Sequence, residues 1–123
     1  MLNKINIIRI DRFFFLNEFE CPCCKKVMLH PTLLKKLSAL RQKIDRPLII
    51  NSGFRCEAYN KKIDGVPKSY HLFGYAADVT VNSMKISDLL LYAENINFGG
   101  IGVYNNFLHL DVRVIKERWD LRT

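Results

Sequence analysis

Apolar residues recur at helical spacing most clearly at Leu33, Leu34, Leu37, Leu40 and Ile44, while Lys35, Lys36, Arg41 and Lys43 occupy much of the opposite side. Pro31 suits the first turn of a helix, and Arg46-Pro47 ends it, because the residue before a proline is pushed out of the helical region. The spacing predicts a helix over 31–45 that packs its leucine stripe inward. The pattern then shortens. Leu48-Ile49-Ile50-Asn51 reads as a short buried strand, and Tyr75 to Val81 as another, with β-branched residues in its second half. Ser87 can cap a helix through Asp88 to Glu94, where Asp88 suits the first turn. Gly99-Gly100 breaks that helix. Ile101–Tyr104 and Phe107–Val112 then make two strands joined by Asn105-Asn106, a tight turn.

The remaining stretches are less regular. Residues 1–12 look like an N-terminal strand or arm, Phe13 to Phe19 like apolar anchors, and Cys21 to His30 like an irregular segment. Ser52-Gly53 begins a loop, and Ala58 to Ile63 forms a helical turn before Asp64-Gly65 and Pro67. No repeat appears, nor any linker long enough to split the chain. The expectation is one small α+β domain over 1–123, with helices packed on a mostly antiparallel sheet.

Composition narrows the class further. With 123 residues, 49% hydrophobic and 25% charged, the chain is too apolar for a disordered tail and suits a single core. Its longest apolar runs fall far below the ~20 residues of a membrane-spanning helix. Met1 to Ile10 carries Lys4 and Arg9 among its isoleucines and has no small-residue cleavage site, so it does not read as a signal peptide. The protein is therefore expected to be made in the cytoplasm, and any work outside it needs a separate route of export or release. Nineteen Lys and Arg against twelve Asp and Glu leave a net charge of +7. That balance favours an anionic partner, whether nucleic acid, wall polymer or lipid headgroup, or simply a solvated basic surface. The lysine pairs at 25–26, 35–36 and 61–62 are scattered, so no nucleic-acid stripe is evident and no nucleic-acid partner is expected.

Two of the three histidines lie close to carboxylates. One segment runs Ser69-Tyr70-His71-Leu72-Phe73-Gly74-Tyr75-Ala76-Ala77-Asp78, the other Phe107-Leu108-His109-Leu110-Asp111-Val112-Arg113. A hydrolytic zinc site takes three protein ligands from His and Asp/Glu and keeps a fourth position for water. His71, Asp78 and His109 would supply that set, with Gly74 allowing a tight turn between the first two. His109 and Asp111 share one face of a strand, which places a spare carboxylate near the metal. The competing interpretation of each cluster is a structural histidine satisfied by its neighbouring aspartate.

These residues resemble the zinc D-Ala-D-Ala peptidase family, in its branch of small single-domain wall peptidases. The matching segments are Ser52-Gly53-Phe54-Arg55, Tyr59-Asn60, Ser69-x-His71-x-x-Gly74-x-Ala76-x-Asp78, Gly100-Ile101-Gly102-x-Tyr104, His109-x-Asp111-x-Arg113 and Trp119. They hold order and spacing over 19–119, leaving 1–18 as an N-terminal arm. The resemblance implies a fold shared with hedgehog signalling domains. It also implies a zinc-dependent hydrolase of D-amino-acid peptide bonds in peptidoglycan stem peptides, working as a carboxypeptidase or a cross-link endopeptidase. Carried over by position, His71, Asp78 and His109 are the zinc ligands. Arg55 binds substrate or steadies negative charge, as a guanidinium fork can, or else makes a surface ion pair. Several relatives carry an acidic general base three residues before the last histidine, where this chain has Asn106. Asp111 is the candidate to take that role. Its alternative is to orient a ligand histidine or pair with Arg113.

A peptidase of this kind would act on wall peptide as a monomer, as in a phage or prophage lysis enzyme. A catalytically inactive wall-binding module in the same fold is the second possibility, and a basic Cys-rich nucleic-acid-binding protein the third. Cys21, Cys23, Cys24 and Cys56 admit three states: a second zinc centre, with His30 as an optional ligand; a disulfide to Cys56 bracing the Arg55 loop; or buried thiols. Tyr104 and Trp119 are either groove-lining or core aromatics.

Overall fold

The computed structural model describes residues 5–123, so the first residues of the expected N-terminal strand or arm lie outside the described part. Arg9 of that arm pairs with Phe15 in an isolated bridge, and Phe14 and Phe19 of the following segment are buried as anchors. Helix α1 (Pro31–Ile44) follows, with Leu33, Leu37, Leu40 and Ile44 buried and Leu34 half-buried at the edge. His30 caps it, its Nδ1 accepting from the Thr32 amide at 3.1 Å. It stops one residue before the expected end because Asp45 turns into the left-handed region at φ 53°.

Strand β1 (Ile49–Ser52), helix α2 (Glu57–Lys62) and strand β2 (Ala76–Thr80) lie within one or two residues of their predicted bounds. Helix α3 (Ile86–Glu94) begins ahead of the anticipated Ser87 cap. Lys85 is extended, and its carbonyl accepts from the amides of Asp88 and Leu89, so the helix is already under way at the serine. Strands β3 (Gly100–Val103) and β4 (Leu108–Asp111) form the expected hairpin. Across its turn the Tyr104 amide donates to the Phe107 carbonyl at 3.1 Å. Strand β5 (Glu117–Asp120) had no signal, since Glu-Arg-Trp-Asp shows no apolar alternation. It forms by pairing in parallel with β3, and the Arg118 guanidinium fixes it to the carbonyls of Phe98 and Gly99 and to Glu94.

The sheet order is β1-β2-β4-β3-β5, antiparallel except for the last pair. One face is apolar. Ala77, Val79, Ile101, Val103, Leu108 and Leu110 join the buried faces of α1 and α3 in the core. None of the described helices is long and apolar enough to cross a membrane.

Because side chains alternate across a strand, the residues between these core positions face the other way. Register aligns Ser52, Asp78, His109, Gly102 and Trp119 in a row across all the strands. Glycine is needed in that row: a Cβ on Gly102 would stand 2.3 Å from the Trp119 indole. Gly102→Ala should therefore push the indole off the sheet, at a cost of about 1–3 kcal/mol for the overpacking. Trp119 is the chain's single tryptophan. Its emission should shift to the red in the variant, while unchanged emission and an unchanged urea midpoint would contradict this packing.

Candidate metal centre

Each histidine is placed by local structure. A short 3-10 turn (Tyr70–Phe73) carries His71, with Ser69 Oγ accepting from the His71 amide at 3.2 Å. Gly74 closes that turn at φ 73°, where a Cβ would also stand 2.5 Å from the Met28 backbone, so both conformation and space call for glycine. Asp78 and His109 come from the paired strands β2 and β4, directly opposite each other.

The three side chains converge. His71 Nε2 lies 3.1 Å and His109 Nδ1 3.2 Å from the same oxygen, Asp78 Oδ1, and one ligand atom from each residue falls within 4.8 Å of the other two. The proton positions follow from the outer partners. His71 Nδ1 lies 2.8 Å from the Gly53 carbonyl, which can only accept, so that nitrogen carries the hydrogen. His109 Nε2 lies 2.7 Å from Asp111 Oδ2 and donates to it. In the neutral rings Nε2 of His71 and Nδ1 of His109 are therefore bare, and both lone pairs aim at a carboxylate oxygen. Three acceptors sharing one point call for a cation. Two imidazole nitrogens and a carboxylate oxygen, oriented from behind by a carbonyl and a second carboxylate, fit zinc.

The titration shifts express the same convergence. With protons on the two rings in place of a bound cation, burial favours protonation of Asp78, but the hydrogen bonds that His109 and His71 then donate outweigh it and hold the carboxyl well below its ordinary range. Burial opposes the charged His109 ring, yet Asp111 and Asp78 together raise its pKa. Asp111 is also held low against burial, by His109 and Arg113.

Arg55 reaches the other oxygen of the Asp78 carboxylate, with Nη2 at 2.8 Å from Asp78 Oδ2. Its Nε donates to Ser52 Oγ at 3.0 Å and its Nη1 to Asn60 Oδ1 at 3.3 Å. Asp111 is wholly buried, on the far ring nitrogen of His109 rather than on the metal side. Both its oxygens are taken, by His109 and by the side chain and amide of Arg113. The Arg113 guanidinium lies over the Tyr70 ring, 4.4 Å from its centroid, and 5.1 Å from that of Trp119.

All of this opens into a cavity of about 480 Å³ lined by both arginines, the three converging residues, Asp64, Lys68 and an aromatic wall of Tyr70, Tyr104, Phe107 and Trp119. Trp119 Nε1 donates to the Tyr104 hydroxyl at 3.0 Å, so the two aromatics brace each other at the rim. Sequence reading had not singled out the Gly53 carbonyl, Tyr70 or the cavity-facing position of Arg113. A carbonyl has no sequence signature, and the stacking of Arg113 depends on β5. Asn106 sits exposed in the β3–β4 turn.

Comparison with known proteins agrees with this geometry. The family model described as Peptidase M15 matches residues 14–111, a span that holds all three converging residues. A zinc D-Ala-D-Ala carboxypeptidase of Streptomyces albus G is 36% identical over 64 residues, 51% of this chain. That alignment covers 25% of the relative, so the chain spans about a quarter of the relative's length. With the match running over most of the chain and through the His71, Asp78 and His109 cluster, this chain belongs to the Peptidase M15 family.

Proposed function

We propose that the protein is a zinc metallopeptidase that hydrolyses D-amino-acid peptide bonds in peptidoglycan stem peptides. The observation that carries this reading is the meeting of His71, Asp78 and His109 at the floor of a cavity lined by two arginines. Zinc held by that trio would supply Lewis-acid polarisation of a carbonyl and acidification of water.

The chain's own groups divide the remaining work. Arg55 spends three of its five N–H donors on Ser52, Asn60 and Asp78, leaving the others for a substrate carboxylate or a developing oxyanion. Its bond to Asp78 Oδ2 also fixes the plane of that carboxylate. Lys68 and Arg113 add positive charge to the same cavity, which suits a peptide ending in a free carboxylate. The aromatic wall gives the cavity one apolar side.

The placement of Asp111 supports the positioning role, because a buried carboxylate behind His109 fixes that ring but does not face the cavity. Among the cavity carboxylates, Asp64 is exposed, and its side chain has no hydrogen-bonding or ion-paired partner among the described residues. As the cavity carboxylate left free of such partners, it is our candidate to take a proton from attacking water and return it to the leaving amine. An amide at Asn106 favours the second reading, a wall-binding module without catalysis. Digestion of purified stem peptides, followed by product mass, separates the two. The zinc-loaded protein should release D-Ala or open a cross-link, chelation should stop it, and Asp64→Asn should slow turnover at unchanged zinc content. Binding of wall material with no product from the zinc-loaded protein would favour the inert module.

A further inference from the structure

We propose that Cys21, Cys23 and Cys56, with Cys24 completing the set, form a second metal centre, a thiolate site for zinc separate from the His71, Asp78 and His109 centre. The three sulfurs lie within 4.8 Å of one another. Cys56 Sγ stands 3.6 Å from Cys21 Sγ and 3.7 Å from Cys23 Sγ. Zinc–sulfur bonds of ~2.3 Å in a tetrahedron put neighbouring sulfurs ~3.8 Å apart. The observed spacing is that edge length. Cys56 stands nearly equidistant from two partners, whereas a disulfide would draw it to one alone.

A backbone donor faces the cluster. The Cys56 amide points at Cys21 Sγ, 3.5 Å away. Each thiol that binds a divalent cation releases its proton. Cys24 is exposed and directly follows Cys23 in the chain, which makes it the neighbouring thiol for the fourth position. His30, the optional ligand suggested by the sequence, caps α1 instead and is not in the cluster.

The centre would tie two segments together. The Phe54 amide donates to the Phe19 carbonyl at 2.8 Å, and a Cβ on Gly53 would stand 2.8 Å from the Phe19 backbone, so the chains already run in contact. Gly53 orients His71, Arg55 holds Asp78, and Cys56 follows at once. Metal at the thiolates would thus anchor the loop that positions the other centre, and its own binding needs no peptidase activity.

The test is metal stoichiometry and spectroscopy on the full chain, purified under reductant and loaded with zinc or cobalt(II). Wild type should bind one ion at each centre, and its cobalt form should show sulfur-to-cobalt charge-transfer absorption. His71→Ala should lose one ion and keep that absorption. Cys56→Ser should lose it, and so should Cys23→Ser, whose exposed side chain makes misfolding an inadequate explanation. A single bound ion with no sulfur-to-cobalt band in wild type would overturn the proposal. So would an intact mass lighter by two hydrogens that persists after zinc loading, the mark of a disulfide.

Discussion

His71→Ala should leave a folded chain that neither retains zinc at the histidine centre nor hydrolyses stem peptides. Imidazole 71 is the one ligand supplied from outside the sheet, gripped at one nitrogen by the Gly53 carbonyl and aimed with the other at Asp78. Removing it leaves two protein ligands and solvent. Loss of an outer partner of a metal ligand already lowers affinity or activity ~10–100-fold, and loss of the ligand itself should exceed that. The Gly53 carbonyl also loses a buried partner, at a stability cost of about 1–3 kcal/mol. Equilibrium dialysis against zinc, circular dichroism and product mass from stem peptides check the three parts. Full turnover by the variant with no metal bound would remove the basis of the proposed chemistry.

The second large effect is expected at Asp111. Asp111→Ala would leave the Arg113 guanidinium and the His109 Nε2–H without their shared carboxylate, and breaking a buried pair from one side costs about 3–5 kcal/mol. Zinc affinity should fall ~10–100-fold, because His109 loses the group that fixes its proton on the outer nitrogen. A general base would behave differently: zinc affinity would hold while turnover collapsed. The pH dependence has a definite sign. The folded carboxyl is held below the ~3.9 of an unfolded aspartate, so its contribution is fully present above that value and fades as pH falls through the folded one. Metal-free wild type should lose urea resistance as pH drops below ~4, with Asp78 adding to the slope. Asp111→Ala should show a shallower fall, and parallel profiles for the two proteins would contradict the assignment.

The convergence of His71, Asp78 and His109 was legible in the sequence because each sits where strand alternation or a glycine-closed turn fixes its direction. His109 and Asp78 fall on the same face as soon as β2 and β4 pair. The role of Asp111 was less legible for the same reason. Alternation puts it beside His109 but cannot say which ring nitrogen it meets, and it meets the outer one. Trp119 carried a signal only through resemblance, because β5 has no apolar period and exists by pairing with β3. The Gly53 carbonyl and the proximity of Cys56 to Cys21 are properties of chain path, which no local pattern encodes.

The transverse row from Ser52 to Trp119 also orders events in time. Asp78 and His109 are 31 residues apart in sequence, and contacts of that span form slowly because the intervening chain must first be closed into a loop. Helix α1 and the β3–β4 hairpin can appear early without creating any grip on an ion. Zinc capture at the histidine centre is then expected as a late step of refolding, with the moment of uptake marking when the sheet has closed.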